Sequence, residues 1–294
     1  MGSLFDDMKS SVRASEPIAP YTWFRLGGPA EYLARPGTIE ELAALVRRCR
    51  SEDLPSRILS GGSNVLVRDE GVAGLVVHLE SPAFSDVKIE GNRVQVGAAV
   101  PLTALISRTA RAGLAGLENL TGIPGTVGGA VLGNSGGRQG AIGQFVRRAT
   151  VMDASGEIHV RDSDELIFAY RQSNLDDVIV LSVELEQEPD DPEAVVRRMR
   201  RIWIVKKENQ PYGHQSSGCI FKNPSPEVSA GTLVEQAGLK GARVGGAEVS
   251  DRHANYIVAE PVATSADVLQ LIDKARDEVF RQFGLELELQ IQIW

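Results

Sequence analysis

The sequence predicts an α+β fold, and three observations carry that prediction. Four stretches show helical periodicity with recognisable start and stop residues. Short strands and glycine-centred hairpins fill the gaps between them, crowded into the first two-thirds of the chain. The strand and helix signals alternate too irregularly to demand a doubly wound parallel sheet. A length of 294 residues suggests two domains.

Taken in order, Thr38 is placed to cap a helix, with Glu41 completing a capping box. Leu42, Leu45, Val46 and Cys49 follow at helical spacing, and Cys49 reads as a small core residue. The run GLVVHL (74–79) is a strand, and 86–98 and 149–160 are hairpins around Gly. A helix between starts near Pro101 and stops near Gly113, the usual proline-in, glycine-out asymmetry. VIVLSVELE (178–186) is a further strand. The charged, proline-bearing stretch 186–195 is the candidate junction, dividing the chain into 1–195 and 196–294. A helix begins after Asp191 at Pro192 and ends before Pro211. The last helix is capped by Thr264, carries Val268, Leu271, Ile272, Ala275, Val279 and Phe283 on one face, and ends at Gly284. The tail alternates strictly over 285–293: Leu285, Leu287, Leu289, Ile291 and Ile293 on one face, Glu286, Glu288, Gln290 and Gln292 on the other.

Composition narrows the class. Hydrophobic residues make up 43% and charged residues 24%, an ordinary soluble globular balance. The net charge of -8 argues against a general nucleic-acid surface or an anionic membrane surface; an anionic ligand needs a local basic pocket. The two cysteines, Cys49 and Cys219, support neither a disulfide framework nor zinc spacing, so no metal site is expected. The first ten residues lack an apolar signal core, and no stretch approaches a membrane span. Gly2 matches a lipid-modification pattern, but Asp6 stands where that pattern needs Ser or Thr. These features predict a cytoplasmic protein.

Neither GxGxxG nor GxxxxGK[ST] occurs. Two other glycine-rich segments stand out. In 57–71 an apolar strand runs into Gly61, Gly62, Ser63 and Asn64 before returning to Val65, Leu66 and Val67. Adjacent glycines let backbone N–H groups approach a phosphate, and Ser63 and Asn64 offer side-chain hydrogen bonds. In 116–137, Gly122, Gly125, Gly128 and Gly129 surround Pro124 and Thr126, more glycine than a hairpin turn requires. Such a density suggests backbone wrapped around a flat or anionic ligand.

GGSNVLV followed by GIPGTVGGA resembles the FAD-binding half of the UDP-N-acetylenolpyruvoylglucosamine reductase family. YTWFRLGGPAEYL (21–33), LIFAYRQS (166–173), QSSGCIFKNP (215–224) and the 237–258 segment fall in the family's order, so the resemblance spans nearly the whole chain. It implies a two-part FAD-binding region of the vanillyl-alcohol oxidase and para-cresol methylhydroxylase type, joined to a smaller α/β substrate-binding domain. Only about twenty residues separate Arg171 from the junction helix, so the shorter, lid-less form of the family is the one resembled. The implied reaction is NADPH-dependent and FAD-mediated: reduction of an enolpyruvyl UDP-sugar to UDP-N-acetylmuramate in peptidoglycan precursor synthesis. FAD is expected to be non-covalent and NADPH to be a co-substrate, with no nucleic-acid or membrane partner.

That chemistry needs a positive charge beside a developing oxyanion and a proton donor over the carbon. The resemblance places Arg171 in the first role; a guanidinium binds a carboxylate through paired hydrogen bonds and stays charged. In the second role the family's serine is matched by Cys219, and a thiol donates a proton readily. The family's final-strand glutamate and following arginine are matched by Gln290 and Gln292, and glutamine cannot exchange a proton. Glu288, two residues away on the same face, is the other candidate for that role. Tyr170, Lys206 and Asn223 are candidate substrate contacts, while His253 reads as structural.

Two other readings remain open. A flavin oxidase of the same fold commonly anchors its flavin on a histidine near the first glycine-rich loop, but none of His78, His159, His214 and His253 lies within 57–71. A flavin-binding homologue with weak or altered activity is kept open by Gln290.

Overall fold

The structure is a computed structural model and describes residues 4–137 and 139–294, leaving Gly2 outside. It is α+β, and its contacts divide the chain into two compact units. The first takes residues up to Glu16, Glu31–Gly61 and Ala73–Ile204; the second takes Pro17–Ala30, Gly62–Val72 and Val205–Trp294. The charged stretch suggested one cut at 195/196, whereas the contacts give the C-terminal unit two short early segments and change over at 204/205.

The first unit is built on two sheets. In the four-stranded one the order is Val12–Pro17, Pro29–Ala34, Val72–His78, Ser56–Leu59, the last two running parallel. Helix α1 (Ile39–Ser51) sets Leu42, Leu45, Val46 and Cys49 against Leu75, Val77 and Met152. The Thr38 hydroxyl accepts the Glu41 N–H, but the Glu41 carboxylate takes the N–H of Gly37 and not that of Thr38, so the expected box closes one residue early. Burial pushes the Cys49 thiol up to about 11, which leaves it a core residue.

The second sheet has five strands in the order Ile158–Asp162, Val146–Met152, Ile179–Glu186, Arg93–Gly97, Val87–Glu90, all antiparallel. Both expected hairpins are present in it. Helices α2 (Leu102–Arg111) and α3 (Val127–Leu132) cover one core, packing Leu105, Ile106, Val127 and Val131 with Val94, Val96, Val183 and Leu185. Helix α4 (Pro192–Asn209) starts at the expected proline and contains the change of unit.

In the second unit, α5 (Ala230–Gln236) and α6 (Ser265–Phe283) pack with a small antiparallel sheet of Arg243–Val244, Ala247–Val249 and Ile257–Ala259. Thr264 and Asp267 form a full capping box on α6, and Gly284 closes it at φ 66°. The Asp69 carboxylate also accepts from Ser265 N and Ala266 N, at 3.0 and 3.2 Å. The tail keeps its alternation in burial, with Leu287 and Ile291 inside and Glu286, Glu288 and Gln292 outside. It is not one continuous ladder, however. It pairs first with 220–222, through Lys222 N to Glu288 O and Gln290 N to Ile220 O, and then runs parallel to Val65–Leu66. Among the described residues no helix is long and apolar enough to cross a membrane.

Candidate active site

In the first unit the two glycine-rich loops touch. A Cβ on Gly61 would lie 2.8 Å from the Gly125 Cα, a distance only glycine permits. Gly122 and Gly125 hold φ values of 82° and 101°, which turn the second loop. Thr126 caps α3, its hydroxyl facing Gly129 N at a long 3.5 Å. None of the hydrogen bonds among the described residues uses the N–H of Gly61, Gly125 or Thr126. Closely set amides with no protein acceptor suit the diphosphate of a dinucleotide, so the loops fit FAD.

The glycines of α3 do different work. Gly128 presses on the turn that follows the strand Arg93–Gly97: its N–H bonds Ala98 O at 2.9 Å, and a Cβ there would sit 2.8 Å from the Ala98 Cβ. It serves helix–sheet packing rather than presenting a face to a ligand. At Gly129 a Cβ would meet only Ser60 Oγ at 3.2 Å and Thr126 Oγ1 at 3.8 Å.

Tyr170 and Arg171 form the two-residue loop of the hairpin Phe168–Ala169/Gln172–Ser173. Arg171 has φ 59°, a left-handed conformation rare for a non-glycine residue. Its Nη1 donates to Gly136 O at 2.8 Å, and its guanidinium carbon lies 5.4 Å from the centre of the exposed Tyr170 ring. No carboxylate neutralises Arg171 among the described residues, so charge and donors remain for an anion. The hairpin is bolted to the end of α3. Ser173 Oγ donates to Leu132 O at 2.8 Å, and Asn134 donates to Ala169 O at 2.7 Å while accepting from Gly143 N at 3.1 Å. Nothing in the spacing of the sequence points to Asn134.

In the second unit Gly62 has φ 59°, and a Cβ there would fall 2.0 Å from Tyr21 O, so the turn admits only glycine. The N–H groups of Gly62, Ser63 and Asn64 carry no hydrogen bond among the described residues. The Asn64 side chain, expected on a phosphate, donates instead to Gln290 O at 3.1 Å. Half-buried Cys219 follows Gly218 (φ 76°) and forms no disulfide. Asn255, 3% exposed, clamps the segment that carries Cys219: it accepts from Phe221 N at 2.9 Å and donates to Phe221 O at 2.8 Å. Ser217 is buried and donates to Val65 O at 3.0 Å. Both residues lie in segments that carry the family resemblance, which gives neither of them a role.

The remaining candidates spread over this unit. Gln290 is half-buried, its N–H on Ile220 O at 2.7 Å. Glu288 has a side chain 72% exposed and paired with Lys222. The Asn223 side-chain Oδ1 accepts from Ala230 N at 3.1 Å, at the start of α5, and Lys206 is half-buried on α4. His253 takes the Asn255 N–H on Nδ1 at 3.2 Å and meets the Tyr256 ring edge-on; burial lowers its pKa, consistent with a packed neutral ring.

Residues 30–161 match the family described as FAD binding domain, and 210–294 match the family described as UDP-N-acetylenolpyruvoylglucosamine reductase, C-terminal domain. The UDP-N-acetylenolpyruvoylglucosamine reductase of Moorella thermoacetica is 42% identical over 294 residues, covering 100% of this chain and 96% of its own length. The one from Heliobacterium modesticaldum is 40% identical, covering 100% and 94%. The crystal structure of UDP-N-acetylenolpyruvylglucosamine reductase from Thermus caldophilus superposes with a TM-score of 0.82 at 39% identity, over 96% of this chain and 98% of that one. End-to-end similarity in sequence and in fold leads to one conclusion: the chain belongs to the UDP-N-acetylenolpyruvoylglucosamine reductase family.

Proposed function

We propose that the protein is a cytoplasmic flavoenzyme that reduces UDP-N-acetylglucosamine enolpyruvate to UDP-N-acetylmuramate at the expense of NADPH, within peptidoglycan precursor synthesis. The observation that carries this reading is similarity to such reductases over the full length of the chain, both families included. Bound, non-covalent FAD supplies the hydride chemistry, from NADPH to the enolpyruvyl double bond. In the first unit the amides of Gly61, Gly125 and Thr126 are available to an anionic part of the cofactor, and in the second unit Gly62, Ser63 and Asn64 are candidate cofactor contacts in their own right. The cofactor's share falls within 1–195, and the nucleotide sugar falls mainly to 196–294, with Tyr170, Lys206 and Asn223 as candidate contacts.

Arg171 binds the substrate carboxylate and stabilises the negative charge that builds there. Its uncommon backbone conformation and its bond to Gly136 O fix the direction of the guanidinium. The Cys219 Sγ–H gives its proton to the carbon, and the thiolate is reprotonated from solvent. Gln290 contributes hydrogen bonds and no proton, so this site relies on one acid. With Gln290 in that position and Glu288 paired with Lys222, a second reading is a flavin-binding homologue of weak or altered turnover.

Purified protein should be yellow, bleach with NADPH and regain colour when the enolpyruvyl sugar is added. A colourless preparation refutes the flavoenzyme reading. Bleaching without recovery on the sugar selects the second one.

A further inference from the structure

We propose that Asn64 and Ser217 are positioning residues that set Gln290 and Cys219 from the Gly62–Asn64 turn, so that filling this turn and presenting the thiol are linked. The proposal rests on the reductase reading above and adds the route by which the cofactor biases the proton-donating side.

Short backbone 64–66 gathers two distant pieces of the second unit, the tail and the Ser217 segment. The Asn64 amide donates to Gln290 O at 3.1 Å, and the Asn64 carbonyl accepts from Gln292 N at 3.0 Å. The pairing continues with Val65–Leu66 parallel to Gln292–Ile293, and Trp294 N reaches Leu66 O at 2.9 Å. Val65 O in turn accepts from Ser217 Oγ at 3.0 Å. Ser217 is 1% exposed, so that hydroxyl has no water to fall back on. Only Gly218, at φ 76° and with open space about its Cβ position, separates it from Cys219. Gln290 is thus held from both edges, by Ile220 O on its N–H and by Asn64 on its carbonyl.

The turn itself has two properties that suit it to pass on an effect. Its three amides carry no protein acceptor, so an anion there satisfies and orders them. Its rear is fixed: Trp23 N donates to Gly62 O at 2.9 Å, and the Tyr21 carbonyl abuts Gly62. Ordering on binding therefore falls on the Asn64 side, where the bonds to Gln290, Gln292 and Ser217 lie. Filling the turn then restricts Cys219, and linkage makes the effect reciprocal.

The test measures alkylation of Cys219 by iodoacetamide in flavin-loaded and flavin-stripped protein, with buried Cys49 as internal reference. In the wild type, loading should change the Cys219 rate by about fivefold or more. Asn64→Asp keeps the shape but removes the donor, and Ser217→Ala removes the hydroxyl. In each the effect of loading should fall below about twofold, and Ser217→Thr should restore it. If Asn64→Asp no longer takes up flavin, Ser217→Ala alone decides. Equal flavin dependence in Ser217→Ala and wild type overturns the proposal, as does a flavin-loaded wild type with no dependence at all. In both cases a yellow protein that bleaches and recovers leaves the reductase reading standing, whereas a colourless wild type removes both.

Discussion

Replacing Asn255 by alanine tests how the segment that carries Cys219 is held. The Asn255 side chain makes two hydrogen bonds to one peptide neighbour, Phe221 N at 2.9 Å and Phe221 O at 2.8 Å. Both residues are 3% exposed, so water cannot take over without opening the packing. Alanine leaves one donor and one acceptor unpaired, each costing about 1–3 kcal/mol, so the loss should be on the order of 2–6 kcal/mol. Against a typical total of about 5–15 kcal/mol that is a large fraction. Urea unfolding should show a lower midpoint with an unchanged slope for the second unit. Because Phe221 lies two residues from Cys219, transfer to the enolpyruvyl sugar should slow more than flavin reduction by NADPH. A loss below about 0.5 kcal/mol, the scale of a neutral surface change, would mean that the clamp is solvated and the burial argument wrong.

Gly129→Leu should abolish flavin absorbance with little change in melting temperature, since the added Cβ meets only Ser60 Oγ at 3.2 Å and Thr126 Oγ1 at 3.8 Å, whereas Gly128→Leu should unfold the first unit through its 2.8 Å approach to Ala98. Full flavin occupancy in Gly129→Leu would move the cofactor elsewhere. Arg171→Lys should slow flavin reoxidation by the enolpyruvyl sugar about 10²–10³-fold while reduction by NADPH survives; equal loss in both halves, read by stopped-flow absorbance, would make the arginine structural. Cys219→Ala should lose on the order of 10²–10⁴ in reoxidation and Cys219→Ser much less, while Gln290→Glu should raise activity; normal turnover in Cys219→Ala removes the thiol from the mechanism. Burial lowers the His253 pKa, so below the unfolded value of about 6.5 the unfolded chain binds the proton first, and stability falls as pH drops through that range. His253→Gln should flatten the fall in urea midpoint over that window, and an unchanged slope with pH would show that His253 is not responsible.

By itself the sequence determined what short-range geometry controls. Thr264 and Gly284 bracket α6 because capping is local and needs a left-handed terminus. Pro192 opens α4, the glycine-centred turns close both hairpins, and the alternation of 285–293 survives in burial, since each depends on a local period. The glycine-rich loops were visible as residue types at close spacing, whereas Arg171 was singled out only by the family resemblance. Tertiary structure alone decided the long-range partners. Asn64 and Gln290 are separated by 226 residues, and Asp69 and Ser265 by 196, distances over which no periodic signal acts. Which hydroxyl, amide or carbonyl meets which is set only when the chain closes on itself and buried polar groups must find partners. For that reason Gly128 and Gly129 look alike in the sequence yet differ in space, one pressed on Ala98 and the other exposed. The same closure turns the tail from one partner to another and draws 17–30 and 62–72 into the C-terminal unit.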